Sequence, residues 1–501
     1  SPTADALPLR RLSQAAGEYL HWSGDSRSLH YALGDRLYSV PLQSAFGEGF
    51  KAPAVAVGRA IGFEQTSDRP QGLLALEGGR IVTMKGDEVI EDGVLLIDGA
   101  RIVALGRRGE LKVPTGALRL DVRGKTLIPG LIDGHWHGAM GETHFIPQQS
   151  WVNHASLALG VTTLHDPSNR TSDIFTQAEL QRAGRVLAPR IFSTGTILYG
   201  AKADVTAVVN KLDDALGHLQ RLKAAGAISV KSYNQPRREQ RQQILEAARQ
   251  TGMMVVPEGA SLFQLNMTQV VDGHTTVEHA LPVAKVYEDV QQLWSQQGVG
   301  YTPTLNVAYG GLDGEHYWYA HTEVWKHPLL SRYVPPTVLQ PRAVRRPTAP
   351  AEDFNVIEVA RTATQLMRSG VRTSIGAHGQ REGLGAHWEM WMFALGGMTP
   401  LEAIRSATLN PAQVLGLDRD LGSLEPGKLA DLVVIDGDVS RDIRLSDRVH
   451  WVVQNGRVYE AATLNELGGQ GRERRTRPFF FHGAAGSVPI DEDLLSEALD
   501  I

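Results

Sequence analysis

The chain has 501 residues, 42% hydrophobic and 21% charged, with a net charge of −5, enough for a large core and more than one domain. No basic stripe or tail points to nucleic acid, and no run of about 18 apolar residues points to a membrane span. Cysteine is absent, which excludes disulfides, zinc knuckles and cysteine nucleophiles and leaves histidine, carboxylate or modified lysine as metal ligands. That composition is compatible with the cytoplasm or an oxidising compartment. The start at Ser1, without a methionine, reads as a mature or truncated form, and a periplasmic or secreted location is slightly favoured.

Residues 1–70 differ from the rest. Glu18 to Asp25, Leu29 to Ala32 and Arg36 to Val40 alternate and are punctuated by Gly, Asp and Ser, which predicts short hairpins. The turn Trp22-Ser23-Gly24-Asp25-Ser26 resembles a TolB-like β-propeller repeat and implies a remnant blade. A plain antiparallel hairpin is the alternative, since a lone blade has no neighbours to bury its faces.

Residues 71–126 again read as strands with Asp-Gly turns. Similar strands return in residues 418–465, at Ala430 to Asp436 and Arg448 to Tyr459, the latter broken by an Asn455-Gly456 hairpin turn. The two regions read as one β-sandwich assembled from both sides of a central domain. Within residues 127–417 helices and apolar strands alternate. Helices are expected at Leu212 to Ala225, Arg238 to Thr251 and Asn355 to Ser369, each followed by an apolar strand. The class is α/β, with βα repeats forming a parallel barrel. Tyr309 to Pro350 reads as a long irregular insertion of the kind used as a lid or binding loop. The tail, 466–501, begins basic, ends acidic and is expected to be peripheral.

Polar residues at strand ends are the candidate chemistry. His135 and His137, at i and i+2 in Ile132-Asp133-Gly134-His135-Trp136-His137, point to one face of a strand and suit a metal. Lys231 ends the strand from Ala227; buried, it would need a partner such as Glu258, or would snorkel. Glu258 follows Val255-Val256-Pro257 and offers an oxygen donor, with a purely structural carboxylate as the alternative. His279 ends Thr276-Val277-Glu278, with His274 as a nearby rival. His378, in Ser374-Ile375-Gly376-Ala377-His378-Gly379, could ligate or act as a base, and His387 and Glu389 could support it. His165 and Asp166 end another strand. His165, Tyr233, Tyr309 and Tyr317 are the expected substrate contacts, with His316, Trp318 and His321 as further aromatic candidates.

The stretch from Leu127 to His137 and the stretch Gly422 to Val433 resemble the amidohydrolase superfamily, and Lys231 with its neighbours most resembles its imidazolonepropionase and prolidase-like branch, which includes peptidases acting on Xaa-Pro dipeptides. The resemblance covers roughly Leu73 to Tyr459. It implies a (β/α)8 TIM-like barrel with one or two divalent ions at its mouth, zinc first, with manganese, cobalt or iron as alternatives. It implies His135, His137, Lys231, Glu258, His279 and His378 as ligands, Lys231 as a bridging carbamate, and His378 or Glu258 as the catalytic acid–base. Two positions depart from the family: Glu258 stands where many relatives carry histidine, and His378 where aspartate is usual. The implied activity is hydrolysis of a C–N bond in a small amide, dipeptide or cyclic amide. Esters, lactones and phosphotriesters suit the same machinery, as does deamination, and a barrel that has lost catalysis would be a ligand- or protein-binding module. No Gly-x-Ser-x-Gly elbow supports a serine hydrolase. A small-molecule substrate is expected, and a homo-oligomer is compatible with the class.

Overall fold

The computed structural model describes residues 9–14, 17–141, 145–201, 206–259, 261–344 and 346–468. They form two compact units, divided in the chain between Thr66 and Ser67.

The first unit is an antiparallel sheet of Glu18–Trp22, Ser28–Leu33, Arg36–Pro41 and Arg59–Ala60, paired in chain order. Its first turn is held by Ser23, whose Oγ donates to Asp25 at 2.6 Å and accepts from the amides of Arg27 and Ser28. Tyr31 and Tyr38 sit opposite each other across two strands and stack at 5.0 Å, forming a small core with Val40 and Ala45. The unit ends earlier than the expected boundary at residue 70. Asp68 already belongs to the larger body, where its carboxylate pairs with Arg457 at 2.8 Å.

The second unit begins with a sheet built from two distant stretches. Leu73–Val82, Val89–Asp98, Arg101–Arg107, Leu118–Asp121 and Lys125–Pro129 come first, and Leu432–Asp436, Val449–Gln454, Arg457–Glu460 and Glu466–Leu467 return some 300 residues later. The seam is Lys125–Pro129 against Leu432–Asp436, with Ile128 opposite Val433. The expected sandwich is made from one sheet, whose hydrogen bonds run through all nine strands. That sheet curls until distant parts meet: Arg101 bridges to Leu429, and Gly456 lies against Gly99. A Cβ at Gly456 would fall 2.0 Å from the Gly99 oxygen, and its φ of +79° is one that other residues rarely adopt. Alternate residues Leu74 and Leu76, Leu95 and Ile97, and Leu432 and Val434 share the core that the curl encloses, as the period of two requires. The sheet takes in residues 466 and 467 of the expected tail; residues 469–501 lie outside the described residues.

Between the two stretches, parallel strands follow one another in chain order. Leu131–Asp133, Val161–Asp166 and Arg190–Ser193 pair in sequence, then Leu198–Tyr199, Ser229–Tyr233 and Met254–Pro257, then Thr276–Glu278 and Gly300–Thr302. The Thr275 amide donates to Val255 O and joins the last two groups. The run ends on the extended segment 373–375, where Thr373 bridges to Tyr301 and the Gly134 amide donates to Ile375 O at 3.1 Å, so the last segment touches the first. Helices Leu212–Ala225, Arg238–Thr251 and Val356–Arg368 stand where the 3.6-residue pattern predicts them.

The stretch 309–350 is not the irregular loop that the sequence predicts. It holds the helices Gly314–His321, Pro328–Tyr333 and Pro336–Val344. Proline opens two of them, where its missing amide is no loss. Each is too short to show a helical period, and their aromatic residues Trp318, Tyr319 and Tyr333 are buried as anchors. No helix among the described residues is long and apolar enough to cross a membrane.

Helix Leu384–Leu395 is fastened by a buried histidine. His387 Nε2 lies 2.7 Å from Leu159 O and Nδ1 lies 2.9 Å from Ser446 Oγ, which the Trp391 indole also reaches at 2.9 Å. These partners need a neutral ring donating from Nε2, and burial pushes the imidazole down to about 4. The unfolded chain takes up this proton near pH 6.5 and the folded one only near 4, so stability is unaffected above 6.5 and falls as pH drops from 6.5 to 4, by about 3 kcal/mol in full. The expected result for His387→Gln is a shallower fall in melting temperature between those pH values than the wild type shows, read by calorimetry.

Candidate metal centre

The strand ends bring six of the predicted residues to one cavity of about 620 Å³. His137, Lys231, Glu258, His279 and His378 line it, and His135 lies beneath them, fully buried. Four imidazoles form the floor. Ring centroids are 5.0 Å apart for His135 with His137, His279 and His378, 4.6 Å for His137 with His378, and 5.1 Å for His279 with His378. Donor atoms of His135, His137 and His378 all lie within 4.8 Å of one another, a spacing that can hold a metal ion.

The backbone strains to make this cluster. His279 has φ +67° and His378 φ +58°, both in the left-handed region that β-carbons disfavour. His279 directly follows the strand Thr276–Glu278, so the alternation of faces ends there, and His378 follows the segment that closes the run of strands; both rings line the cavity. His378 is further fixed by its own amide, which donates to His135 O at 2.8 Å.

Behind the rings stand oxygens. His135 Nδ1 lies 2.6 Å from Glu278 Oε2, His137 Nδ1 3.3 Å from Asp166 Oδ1, and His279 Nδ1 2.9 Å from Thr304 Oγ1. Asp133 accepts from the amides of His135 and Ala377 and ties the first and last strand ends together. Such contacts fix which ring nitrogen is free to ligate. His135 Nε2 is buried without a hydrogen-bond partner. A lone pair in that position fits a divalent cation, and a set of imidazole and carboxylate donors suits zinc or its neighbours.

Burial, reinforced by Lys231 and the other imidazoles, holds His135 well below the usual histidine value. His378 is lowered in the same way, by burial and then by His137 and His279. Lys231 Nζ sits 2.7 Å from Glu258 Oε2, and His279 Nε2 sits 2.9 Å from Glu258 Oε1. Burial alone would raise Glu258, but Lys231 and His279 prevail and hold it at about 2. Burial raises Glu278, against Thr276 and Lys231, which lower it.

Other candidates fall elsewhere. Tyr233 and Tyr309 line the cavity, but Tyr317 does not; it stacks on His321 at 4.2 Å and meets Phe354 edge-on. His165 lies behind the strand ends, its nitrogens facing Gly134 O and Ser229 Oγ, so it ties neighbouring parallel strands together and does not line the cavity. His274 is bound to Gln269 O, and His387 is remote from the cluster, as its partners Leu159 and Ser446 show. Glu389 accepts from the Asn306 amide at 2.6 Å and braces the turn beside Thr304. Glu278, Asp133, Thr304 and Tyr199 were not singled out from sequence. The only signal for the first two was their place beside His279 and two residues before His135.

The sequence model of the Amidohydrolase family matches residues 126–459. The imidazolonepropionase of Symbiobacterium thermophilum is 25% identical over 431 residues, 76% of this chain and 93% of its own length. A 5-methylthioadenosine/S-adenosylhomocysteine deaminase of the same organism is 23% identical over 411 residues, 73% of this chain and 85% of its own. The crystal structure of a Xaa-Pro dipeptidase with bound methionine in the active site is similar at a TM-score of 0.60 and 21% identity, covering 77% of this chain and 100% of that one. With the family match, this likeness implies a TIM-like barrel joined to a β-sandwich.

Gly259 makes the approach of Glu258 possible: a Cβ there would lie 1.8 Å from Glu278 O. Gly259→Ala must push the Glu258 strand end away from Glu278. The expected cost is about 1–3 kcal/mol, from overpacking against backbone, seen as a lower melting temperature than that of the wild type.

Proposed function

Because the chain belongs to the Amidohydrolase family, we propose that it is a metal-dependent hydrolase that splits a C–N bond in a small amide, dipeptide or cyclic amide. The observation that carries this reading is the convergence of His135, His137 and His378 within 4.8 Å, beside Lys231, Glu258 and His279, in one cavity.

His135, His137 and His378 would hold one divalent ion, zinc first, and Glu258 with His279 a second. Such ions, when bound, lower the pKa of water towards neutrality and polarise a carbonyl. Lys231 stands between the two groups. If its neutral amine adds carbon dioxide, an N–C bond forms, a proton leaves, and the side chain becomes an anionic carbamate. The attraction between Lys231 and Glu258 then turns to repulsion, so carboxylation and metal loading support each other. In the hydrolysis itself water adds to the carbonyl carbon and the C–N bond breaks, giving a carboxylic acid and an amine. One proton from water goes to the departing nitrogen. His378, kept neutral by burial and its neighbours, is suited to carry it when it is not a ligand; Glu258 is the alternative carrier. Tyr233 and Tyr309 contact the substrate.

Elemental analysis of protein purified without chelator tests the reading, with His135→Ala/His137→Ala as control. About two divalent ions per chain are expected, as in two-metal hydrolases, lost in the double variant together with amide hydrolysis. A folded protein that holds no stoichiometric metal and gains no activity from zinc, manganese or cobalt would overturn it in favour of a binding module.

A further inference from the structure

The cavity has two unlike sets of lining groups, besides Ser168, Ser261 and Gly259. One is the ligand cluster. The other is a wall of rings and aliphatic groups: Tyr199, Tyr233 and Tyr309 with Ile197 and Val307. Tyr199 and Tyr233 meet at 5.3 Å with planes 32° apart, forming a corner. Lys231 Nζ lies 5.2 Å from the centre of the Tyr233 ring, so the substrate meets that ring from elsewhere. The Tyr309 hydroxyl donates to Ala280 O at 2.5 Å, which fixes the ring and engages its proton.

The charges among the described lining residues deepen the contrast. Lys231 and Glu258 face each other at 2.7 Å, and whether paired or given over to metal neither is left to serve a charged group beside the tyrosines. A carboxylate held there would lose part of its hydration and find no unpaired cation among the described lining residues. An uncharged ring loses little on entering and gains tilted contacts with the tyrosine corner. The cavity volume of about 620 Å³ leaves room for such a ring beyond the scissile bond.

We propose that the tyrosine wall binds an uncharged aryl group, so that the substrates are neutral aryl amides and not peptides with a free carboxylate. This rests on the hydrolase reading above. Water adds to the carbonyl carbon, the bond to nitrogen breaks, a proton goes to that nitrogen, and a carboxylic acid and an arylamine leave. Tyr199 and Tyr233 set the selectivity through charge and shape at the far end of the substrate.

Two matched anilides test it on the metal-loaded full chain: 4-acetamidobenzamide and 4-acetamidobenzoate, equal in size and differing in one charge far from the scissile bond. The expected kcat/KM favours the carboxamide by about 10-fold or more. Tyr199→Arg, which adds a cation to the wall, should narrow or reverse that ratio, chiefly through KM. Equal or better cleavage of the carboxylate overturns the wall assignment and leaves the hydrolase reading intact. Calorimetry with the product amines 4-aminobenzamide and 4-aminobenzoate separates the remaining cases. If neither anilide is cleaved but the amide-bearing amine binds more tightly, the wall assignment stands and the hydrolase reading falls. If neither is cleaved and no preference in binding is found, the wall assignment is overturned too.

Discussion

His135 and His378, with ring centres 5.0 Å apart, are both held well below the usual histidine value, by burial first and then by the charges around them. The rest of the centre follows from that constraint. Both rings are therefore neutral, and a neutral ring keeps one bare lone pair. His135 and His137 turn Nδ1 to an oxygen behind them, at Glu278 and Asp166, which aims Nε2 into the cluster, while His279, with Thr304 at Nδ1, gives its Nε2 to Glu258 at 2.9 Å. Facing lone pairs repel unless an electrophile lies between them. The fold accepts two left-handed residues, His279 and His378, to hold the rings in this arrangement.

The second constraint is charge. Lys231 and Glu258 enter the cavity as a pair, at 2.7 Å. A lone ammonium or a lone carboxylate at the same depth would shift its protonation to become neutral. Paired, Glu258 keeps its negative charge and also receives His279, so one carboxylate links the lysine strand to the histidine strand. The Gly259 backbone follows immediately, packed against Glu278 O too closely for any side chain. The positions of Glu258 and Glu278 are therefore coupled through backbone contact, although they serve different rings.

Much of this was legible in the sequence where one period dominated. His135 and His137 share a strand face, and helices Leu212–Ala225 and Arg238–Thr251 carry a clear apolar stripe. Glu278 was hidden because a strict alternation would place it opposite His279; the left-handed turn at His279 lets both address the cluster. The helices of 314–344 were hidden because each has too few turns to show a period, and aromatic residues read alike in loops and in short helices. Tyr317 shows the same difficulty in reverse, an aromatic in a promising stretch that packs on His321 and Phe354. The curl of the nine-stranded sheet depends on contacts such as Arg101 with Leu429, which no local pattern encodes.

The seam between Lys125–Pro129 and Leu432–Asp436 bears on how the chain is made. A ribosome delivers the first five sheet strands long before the four that complete the sheet. Until then Lys125–Pro129 offers an open edge of Thr126, Leu127 and Ile128, all of which are buried in the finished protein. Pairing across some 300 residues is slow to find by chance, but the parallel strands between the two stretches follow one another in chain order and can assemble as they emerge. Once Gly134 meets Ile375, the two ends of that run are neighbours, and the returning Leu432–Asp436 strand is delivered close to its partner. The run of parallel strands thus acts as the clamp that shortens the search, and the sheet is its latch.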